Sequence, residues 1–231
     1  MTKPIWQWDE TIQRGTDYAS LAKVETYDKY MAILRNVSAE AERILHFLAL
    51  SPDDVILEVG AGTGAFARAA ARHCRTVIAI DVSPAMLTYA SAQAKKEGVT
   101  NIIFRQAGFL TYEHEGKPLA AVVTQLALHH LPDAWKLVAL KRLCRFMRAR
   151  AKLYISDVVL QEEMAGDPVA YVEELLREMP EDHREAIVRH VGQEFSTFDW
   201  AMKEILSRAG FVVEEADTAS RFLAHYHCAK T

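Results

Sequence analysis

Cysteine is scarce in this sequence, and the few that occur lie far apart. The chain of 231 residues has three, Cys74, Cys144 and Cys228, and no two of them share a C-x-x-C spacing. A disulfide framework or a cysteine-ligated zinc site needs more cysteines at shorter spacings. We therefore expect no disulfide and no bound metal ion, and we expect the protein to work in the reducing cytoplasm.

Long apolar runs and a strong charge bias are also missing. No hydrophobic stretch approaches the roughly 20 residues that cross a bilayer, and residues 1–10 lack the apolar core of a signal peptide. The net charge of −4 and the pI near 6.1 give no basic surface for nucleic acid or an anionic membrane. We expect neither partner. Half of the residues are hydrophobic, enough for one domain with a sizeable core.

The most informative stretch of the chain changes character twice. The apolar, β-branched run Val55–Val59 is typical of a buried parallel strand. Gly60, Gly62 and Gly64 interrupt it, and the alanine-rich segment 65–71 then predicts a helix. Glycines allow positive φ and close approach to a ligand, while a helix N-terminus offers unpaired N–H groups. Strand, glycine turn and helix form half of a nucleotide-binding βαβ unit.

The amino-acid sequence of this turn resembles the first motif of class I S-adenosylmethionine (SAM)-dependent methyltransferases, an acid followed by G-x-G-x-G. Here the acid is Glu58, and the loop is Gly60, Ala61, Gly62 and Gly64. The resemblance implies that Glu58 lies near the charged methionine end of SAM and that the loop holds the cofactor. The same glycines also fit the dinucleotide fingerprint G-x-G-x-x-G/A, so a nicotinamide cofactor is the alternative.

The resemblance also implies an architecture. We expect an α/β fold, the Rossmann-like methyltransferase fold, with a seven-stranded, mostly parallel sheet and helices on both faces. Strands six and seven are predicted at Phe211–Glu215 and Arg221–Ala229. The last strand is expected to be antiparallel and inserted at the edge of the sheet.

A second apolar strand, Thr76–Asp81, ends in an acid. Asp81 lies about 20 residues beyond the glycines, where a carboxylate accepts hydrogen bonds from the ribose hydroxyls of an adenosine. SAM and NAD both present a ribose there. The D-x-S-x-x-M-L pattern that starts at Asp81 is common in the methyltransferase family. It implies that Val82 lies beside the cofactor and that Met86 packs against adenine, although a core position explains Met86 equally well.

The loop after the third strand, Asn101–Gln106, departs from the family. An Asp usually lies in this loop and accepts from the adenine amino group, but this sequence has Gly108. We expect the backbone of Gly108 and Phe109 to contact the adenine edge instead, with the ring of Phe109 beside it.

The fourth strand, Leu119–Thr124, runs into a segment that resembles the family's fourth motif, with the L-H-H-L-x-D ending frequent among small-molecule methyltransferases. This segment follows the carboxyl end of a central strand, where α/β folds bind ligands. The resemblance implies that Gln125 and Leu126 line the floor beneath the sulfur. His129 and His130 are candidates for deprotonating or orienting the acceptor. The alternative is that one histidine only fixes the turn.

The rest of the chain predicts a frame around these motifs. Asp133 is expected to cap a helix that continues to about Met147, and Asp157 follows in the fifth strand as a candidate substrate contact. The charged segment 161–195 exceeds an ordinary connection, and in the family an insertion here covers the substrate side of the cleft. In this insertion we expect a solvated helix face at His183, Arg184 and His190, and the alternative is that they contact the substrate.

Residues 1–50 are expected to form an N-terminal helical cap on the methyltransferase domain, residues 51–231. Helical periodicity is clearest in Ala39–Leu50, with Ser38 as the expected N-cap. Tyr18 is the aromatic residue expected to face the cleft and contact the cofactor.

Together these features predict a SAM-dependent methyltransferase that moves a methyl group to a small-molecule acceptor by direct in-line transfer, leaving S-adenosylhomocysteine. The alternatives are an NAD(P)-dependent oxidoreductase and a SAM-fold protein that binds a ligand without catalysis. We expect a monomer or a homodimer.

Overall fold

The computed structural model describes residues 4–12, Val24, 36–220 and 222–231. Tyr18 lies outside the described residues, as does half of the expected N-terminal cap. Within the described part of the chain, no helix is long and apolar enough to cross a membrane.

Strands and helices alternate along the described chain. The strands are β1 (Val55–Val59), β2 (Thr76–Asp81), β3 (Ile102–Gln106), β4 (Leu119–Gln125), β5 (Met147–Leu160), β6 (Thr197–Phe198), β7 (Phe211–Ser220) and β8 (Leu223–Lys230). The helices are α1 (Val37–Leu48), α2 (Ala65–Ala70), α3 (Pro84–Lys96), α4 (Asp133–Phe146), α5 (Glu163–Gly166), α6 (Pro168–Glu178), α7 (Glu181–Gln193) and α8 (Asp199–Ala209). A 3₁₀ turn, Leu128–His130, follows β4.

The strands form one sheet in the order β3-β2-β1-β4-β5-β8-β7, and the short β6 pairs with β5. Strands β1 to β5 pair in parallel, whereas β8 lies antiparallel between β5 and β7. The order steps from β1 to β4, so the carboxyl ends of these two strands flank the point where α/β sheets bind ligands. The predicted mostly parallel sheet with an inserted antiparallel strand is confirmed.

Alternate side chains of the parallel strands pack into two hydrophobic clusters. Leu57 and Ile80 belong to one cluster, and Ile56 and Ala79, from the same two strands, belong to the other. Successive residues of a strand point to opposite faces, so both faces of the central sheet are covered. This explains why these strands read as continuous apolar runs.

Several predicted boundaries were wrong. Helix α1 is capped by Asn36, whose side chain accepts from the Ala39 amide, and not by Ser38. Helix α4 begins at Asp133, but Pro132 holds the N-cap position, and the Asp133 carboxylate pairs with Lys136 instead. The predicted fifth strand began at residue 151, whereas β5 begins at 147 and continues through a left-handed residue at 150, where its pairing with β4 shifts register.

Two segments from outside the sheet meet at its carboxyl edge. The insertion between β5 and β6 contains α5, α6 and α7, and its end contacts the 3₁₀ turn through a hydrogen bond of 2.9 Å from the Phe195 amide to the His129 carbonyl. The N-terminal segment 4–12 reaches the same place, since Trp8 packs edge-on against Phe195 with ring centroids 5.3 Å apart. Both segments therefore border the region where the predicted site lies.

Candidate active site at the carboxyl edge of the sheet

The turn between β1 and α2 depends on glycine at two positions for packing. Gly60 and Gly64 both have φ of +72°. A Cβ atom on Gly60 would lie 2.4 Å from the Ala127 Cβ, and one on Gly64 would lie 2.9 Å from the Ala90 Cβ. Gly60 therefore brings the glycine loop into contact with the residue just before the 3₁₀ turn that carries the two histidines.

Gly62 differs from Gly60 and Gly64 because it faces open space. Its φ is +52°, and a Cβ atom there would meet nothing within 4 Å. Its amide donates a hydrogen bond of 2.8 Å to Oδ2 of Asp81, whose Oδ1 accepts at 2.8 Å from the Ser83 amide. Burial raises the pKa of Asp81. The loop and the acid at the end of β2 are thus joined beside an open space.

Glu58 is a buried acid with an unmatched oxygen. Its side chain lies at the carboxyl end of β1 and is 3% exposed. The Ala67 amide donates to the carboxyl group, yet Oε2 has no hydrogen-bond partner. Burial, with a smaller contribution from the negative charge of Asp81, raises its pKa to about 8. An acid kept neutral by burial, with one oxygen unused, fits a site that receives a cationic group.

The loop after β3 has an acid beside it that comes from elsewhere in the chain. The Glu10 carboxylate accepts from the Leu110 amide at 2.9 and 3.0 Å and from the Thr111 hydroxyl at 2.8 Å. A Cβ atom on Gly108 would lie 2.4 Å from this carboxylate, so Gly108 leaves the space that Glu10 occupies. Burial raises the pKa of Glu10, although these hydrogen bonds oppose the shift. The ring of Phe109 packs in the core.

On the opposite side of the glycine loop, His129 is held between two acids. Its Nδ1 is hydrogen-bonded to Oδ1 of Asp157, and its Nε2 lies 3.1 Å from Oε2 of Glu194. Oδ2 of Asp157 also accepts from the His129 amide at 3.0 Å. Burial alone would lower the pKa of His129, but the two carboxylates raise it to about 9. His129 is therefore charged at neutral pH.

His130, the next residue, lies in a different environment. Burial and the adjacent charge of His129 lower its pKa to about 4, so the ring is neutral at neutral pH. Its Nδ1 is buried and has no hydrogen-bond partner. The two ring centroids are 4.3 Å apart. One histidine of the pair thus has both nitrogens engaged by carboxylates, and the other has an unused nitrogen.

The insertion supplies the second acid of this cluster. Oε2 of Glu194 also lies 2.5 Å from Nδ1 of His190, whose Nε2 is 2.6 Å from the Ser196 hydroxyl. Both histidines donate to Glu194 and lower its pKa, although burial opposes them. The expected solvated face was wrong for His190, which is partly buried, and for His183, which is 2% exposed.

Lys136 ties the end of the insertion to α4. This lysine is fully buried, and its ammonium group donates to the Phe195 carbonyl and pairs with Asp133 at 2.8 Å. The second carboxylate oxygen of Asp133 accepts from the Thr197 hydroxyl at 2.9 Å. The chain that follows Glu194 is thus held to α4 at two places, the Phe195 carbonyl and the Thr197 hydroxyl.

The structure brings most of the predicted site residues to one edge of the sheet. Gly60 and Ala61 are anchored there by amide hydrogen bonds of 2.9 Å to the Ile80 carbonyl. Leu126 has a left-handed φ of +51° and donates to the Ser156 carbonyl at 2.8 Å, which turns the chain between β4 and the histidines. Met86 is 4% exposed on the inner side of α3. Asp157, predicted to contact substrate, is fully buried and contacts His129 instead.

Sequence reasoning missed two acids, Glu10 and Glu194. Each lies outside the motif that it contacts, 100 residues from Leu110 and 65 from His129. No local pattern distinguishes them from the other charged residues of their segments. The signals that the sequence did offer were the missing acid at Gly108 and the unusual length of the insertion.

Known proteins resemble this chain in sequence and in fold. Residues 56–150 match the family model described as a methyltransferase domain. An uncharacterized methyltransferase of Geobacillus sp. (strain WCH70) is 25% identical over 190 residues, covering 82% of this chain and 83% of the relative.

Solved structures share the fold at low identity. A SAM dependent methyltransferase from Aquifex aeolicus has a TM-score of 0.65 at 19% identity, over 92% of this chain and 99% of that chain. Geranyl diphosphate C-methyltransferase from Streptomyces coelicolor A3(2), in complex with Mg²⁺, geranyl-S-thiolodiphosphate and S-adenosyl-L-homocysteine, has a TM-score of 0.66 at 13% identity, over 84% and 76% of the two chains.

The sheet order and the acid-glycine turn at the end of β1 define the class I methyltransferase fold. The domain match at residues 56–150 and the methyltransferase relatives agree with this fold, and the chain is similar to the class I SAM-dependent methyltransferases. These matches are to methyltransferases and favour that activity over the oxidoreductase alternative.

Proposed function

We propose that this protein transfers the methyl group of SAM directly to a small-molecule acceptor bound beside the histidine turn. The observation that carries the proposal is the environment of Gly62. It faces open space, its amide is hydrogen-bonded to Asp81, and the buried Glu58, at the end of the strand that leads into this loop, has an unused oxygen. These features fit an adenosine with a cationic amino-acid tail.

The chain's own residues have distinct parts in holding this cofactor. We assign the ribose to Asp81 and the methionine end to Glu58, which would ionise opposite its positive charge. The loop Gly60–Gly64 and Val82 would contact the cofactor through the backbone, with Met86 and the backbone at Gly108 on the adenine side. Gln125 and Leu126 would form the floor. SAM, when bound, supplies a methyl group on a positively charged sulfur.

Glu10 is our candidate for the acid that the loop at Gly108 lacks. Its carboxylate lies against Gly108 and is fixed by Leu110 and Thr111. A hydrogen-bond acceptor at this place would hold both the loop and the adenine that contacts the loop. We accordingly assign residues 1–50 to a cap over the cofactor side and residues 51–231 to the SAM-binding domain.

The surroundings of the histidine turn favour a small molecule as the methyl acceptor. Side chains of Glu194 and His129 there are each 6% exposed, and the end of the insertion is fixed over the turn by Lys136 and Phe195. A site bordered in this way suits a small molecule better than a polymer, and the net charge of −4 offers nothing for a polyanion. The protein's main contribution to the rate is then alignment of the acceptor with the C–S bond.

A labelling experiment tests this proposal. The protein is incubated with SAM labelled on its methyl group and with a cell extract separated into small molecules, protein and nucleic acid. We expect label in the small-molecule fraction and none with a Gly62→Ala variant. Label in the protein or nucleic-acid fraction would overturn the acceptor class, and SAM binding without transfer to any fraction would favour a binding protein.

A further inference from the structure

Three metal-binding side chains converge at the histidine turn. One ligand atom each of His129, His130 and Glu194 lies within 4.8 Å of the others. The separation of 3.1 Å between Nε2 of His129 and Oε2 of Glu194 is close to the roughly 3.3 Å between neighbouring ligands at bond lengths of about 2.0 to 2.2 Å. Nδ1 of His130 is buried and unpartnered.

Each of two ligands is supported from behind. Asp157 is hydrogen-bonded to Nδ1 of His129 and accepts from the His129 amide at 3.0 Å, which fixes the ring and directs Nε2 toward Glu194. His190 lies 2.5 Å from the same Glu194 oxygen and is itself held by Ser196. A carboxylate behind a histidine and a hydrogen bond to a ligating carboxylate are the supports that metal sites use.

Charge also favours a cation in this cluster. Two buried carboxylates lie in it: Asp157 pairs with His129, and Glu194 pairs with His129 and His190. Lys136, whose charge acts on Asp157, is already paired with Asp133. A divalent ion would replace the proton on Nε2 of His129, balance both carboxylates and leave the three imidazoles neutral, which suits a site removed from water.

We propose that His129, His130 and Glu194 bind one divalent transition-metal ion of the kind that imidazole and carboxylate ligands prefer. Two histidines and one carboxylate leave at least one coordination position open. If the proposed function is right, that position would receive the oxygen, nitrogen or sulfur atom that accepts the methyl group. This site differs from the expectation of no bound metal, because its third ligand comes from the insertion and not from the histidine motif.

Metal titration of the full chain tests this site without any cofactor. Tag-free protein is treated with a chelator, dialysed, and titrated with Zn²⁺ by calorimetry and with Co²⁺ by visible absorption. We expect one ion per chain and the absorption of Co²⁺ bound to nitrogen ligands, with no comparable binding of Mg²⁺. Absence of stoichiometric binding of Zn²⁺ and Co²⁺ would overturn the proposal.

Variants locate the ion. His130→Ala and Glu194→Gln should each weaken Zn²⁺ binding at least tenfold, whereas His73→Ala, an exposed histidine on the segment after α2, should bind as the wild type does. Equal binding by all four proteins would contradict the proposal. Titration with S-adenosylhomocysteine verifies that each variant is folded, because the cofactor side does not include these residues. Failure of that ligand to bind a metal-competent wild type would instead count against the proposed function.

Discussion

Glu58 is the residue whose charge most directly reports on the site. Its pKa is about 8 in the folded chain, against an ordinary value of 4.5, because it is buried beside Asp81. Between these values the folded chain binds more protons than the unfolded chain, so the free energy of unfolding falls as pH rises through this window. Below the lower value the neutral acid has no such cost.

We predict that Glu58→Gln removes this part of the pH dependence in the cofactor-free protein. The variant and wild type should differ little at pH 4.5, and at pH 8.5 the variant should gain about 4 kcal/mol relative to wild type, since the pKa rises from 4.5 to about 8 and one pKa unit corresponds to about 1.4 kcal/mol. Denaturant unfolding at the two pH values measures this. Parallel pH profiles would show that Glu58 is ionised in the folded chain without cost.

Glu10 allows a second test at the scale of one residue. Glu10→Ala removes the acceptor of the Leu110 and Thr111 hydrogen bonds, so the loop at Gly108 loses its support. We predict that the Kd for S-adenosylhomocysteine rises about tenfold, or about 1.4 kcal/mol. Glu10→Gln retains a carbonyl acceptor and should lose less. If both variants bind like wild type, Glu10 has no part in the cofactor site.

The turn between β1 and α2 is the element on which the cofactor assignment depends. Gly62 and Gly98 both have positive φ, +52° and +70°, and a Cβ atom on either would meet nothing within 4 Å. Substitution by alanine should therefore cost each a similar backbone strain, roughly 1 to 2 kcal/mol. The two positions differ in that only Gly62 faces the proposed ligand.

We predict that Gly62→Ala and Gly98→Ala have similar melting temperatures but different affinities. Gly62→Ala should raise the Kd for S-adenosylhomocysteine at least tenfold because the methyl group occupies cofactor space, whereas Gly98→Ala should bind normally. Calorimetric titration and thermal unfolding of the pair provide the comparison. Normal binding by Gly62→Ala would remove the cofactor from this turn.

The junction between the insertion and α4 depends on Lys136. Lys136→Met removes a buried ammonium group that donates to the Phe195 carbonyl and pairs with Asp133. We predict a loss of about 2 kcal/mol in the free energy of unfolding and faster hydrogen exchange at residues 194–198. Lys141→Met, at an exposed position of the same helix, is the control. Equal effects of the two substitutions would mean that this junction contributes no specific stability.

At the scale of the whole molecule, the parts predicted from sequence are those with local causes. The order of motifs, the parallel strands and the turn from Glu58 to Gly64 follow from apolar runs, glycines and acids within a few residues of each other. The inserted β8 followed from the family resemblance. The sequence carries no local signal for a contact between a motif and a distant acid. The contacts of Glu10 and Glu194 with the site are therefore seen only in the folded structure.

The roles of the two histidines in the turn were likewise not predictable from local sequence. The sequence placed His129 and His130 at the acceptor side but did not distinguish them, because neighbours in sequence share every local property. The structure distinguishes them through Asp157 and Glu194, which engage both nitrogens of His129 and leave Nδ1 of His130 unused. The insertion, predicted as a solvated face, supplies one of the two acids.

The central claim is that the open space at Gly62 binds SAM and its product. Calorimetric titration of the wild-type chain and Gly62→Ala with SAM, S-adenosylhomocysteine, NAD and NADP tests it most directly. We predict micromolar binding of both sulfur ligands to wild type, loss of that binding in the variant, and no binding of the nicotinamides. Binding of NAD or NADP without the sulfur ligands would contradict the account.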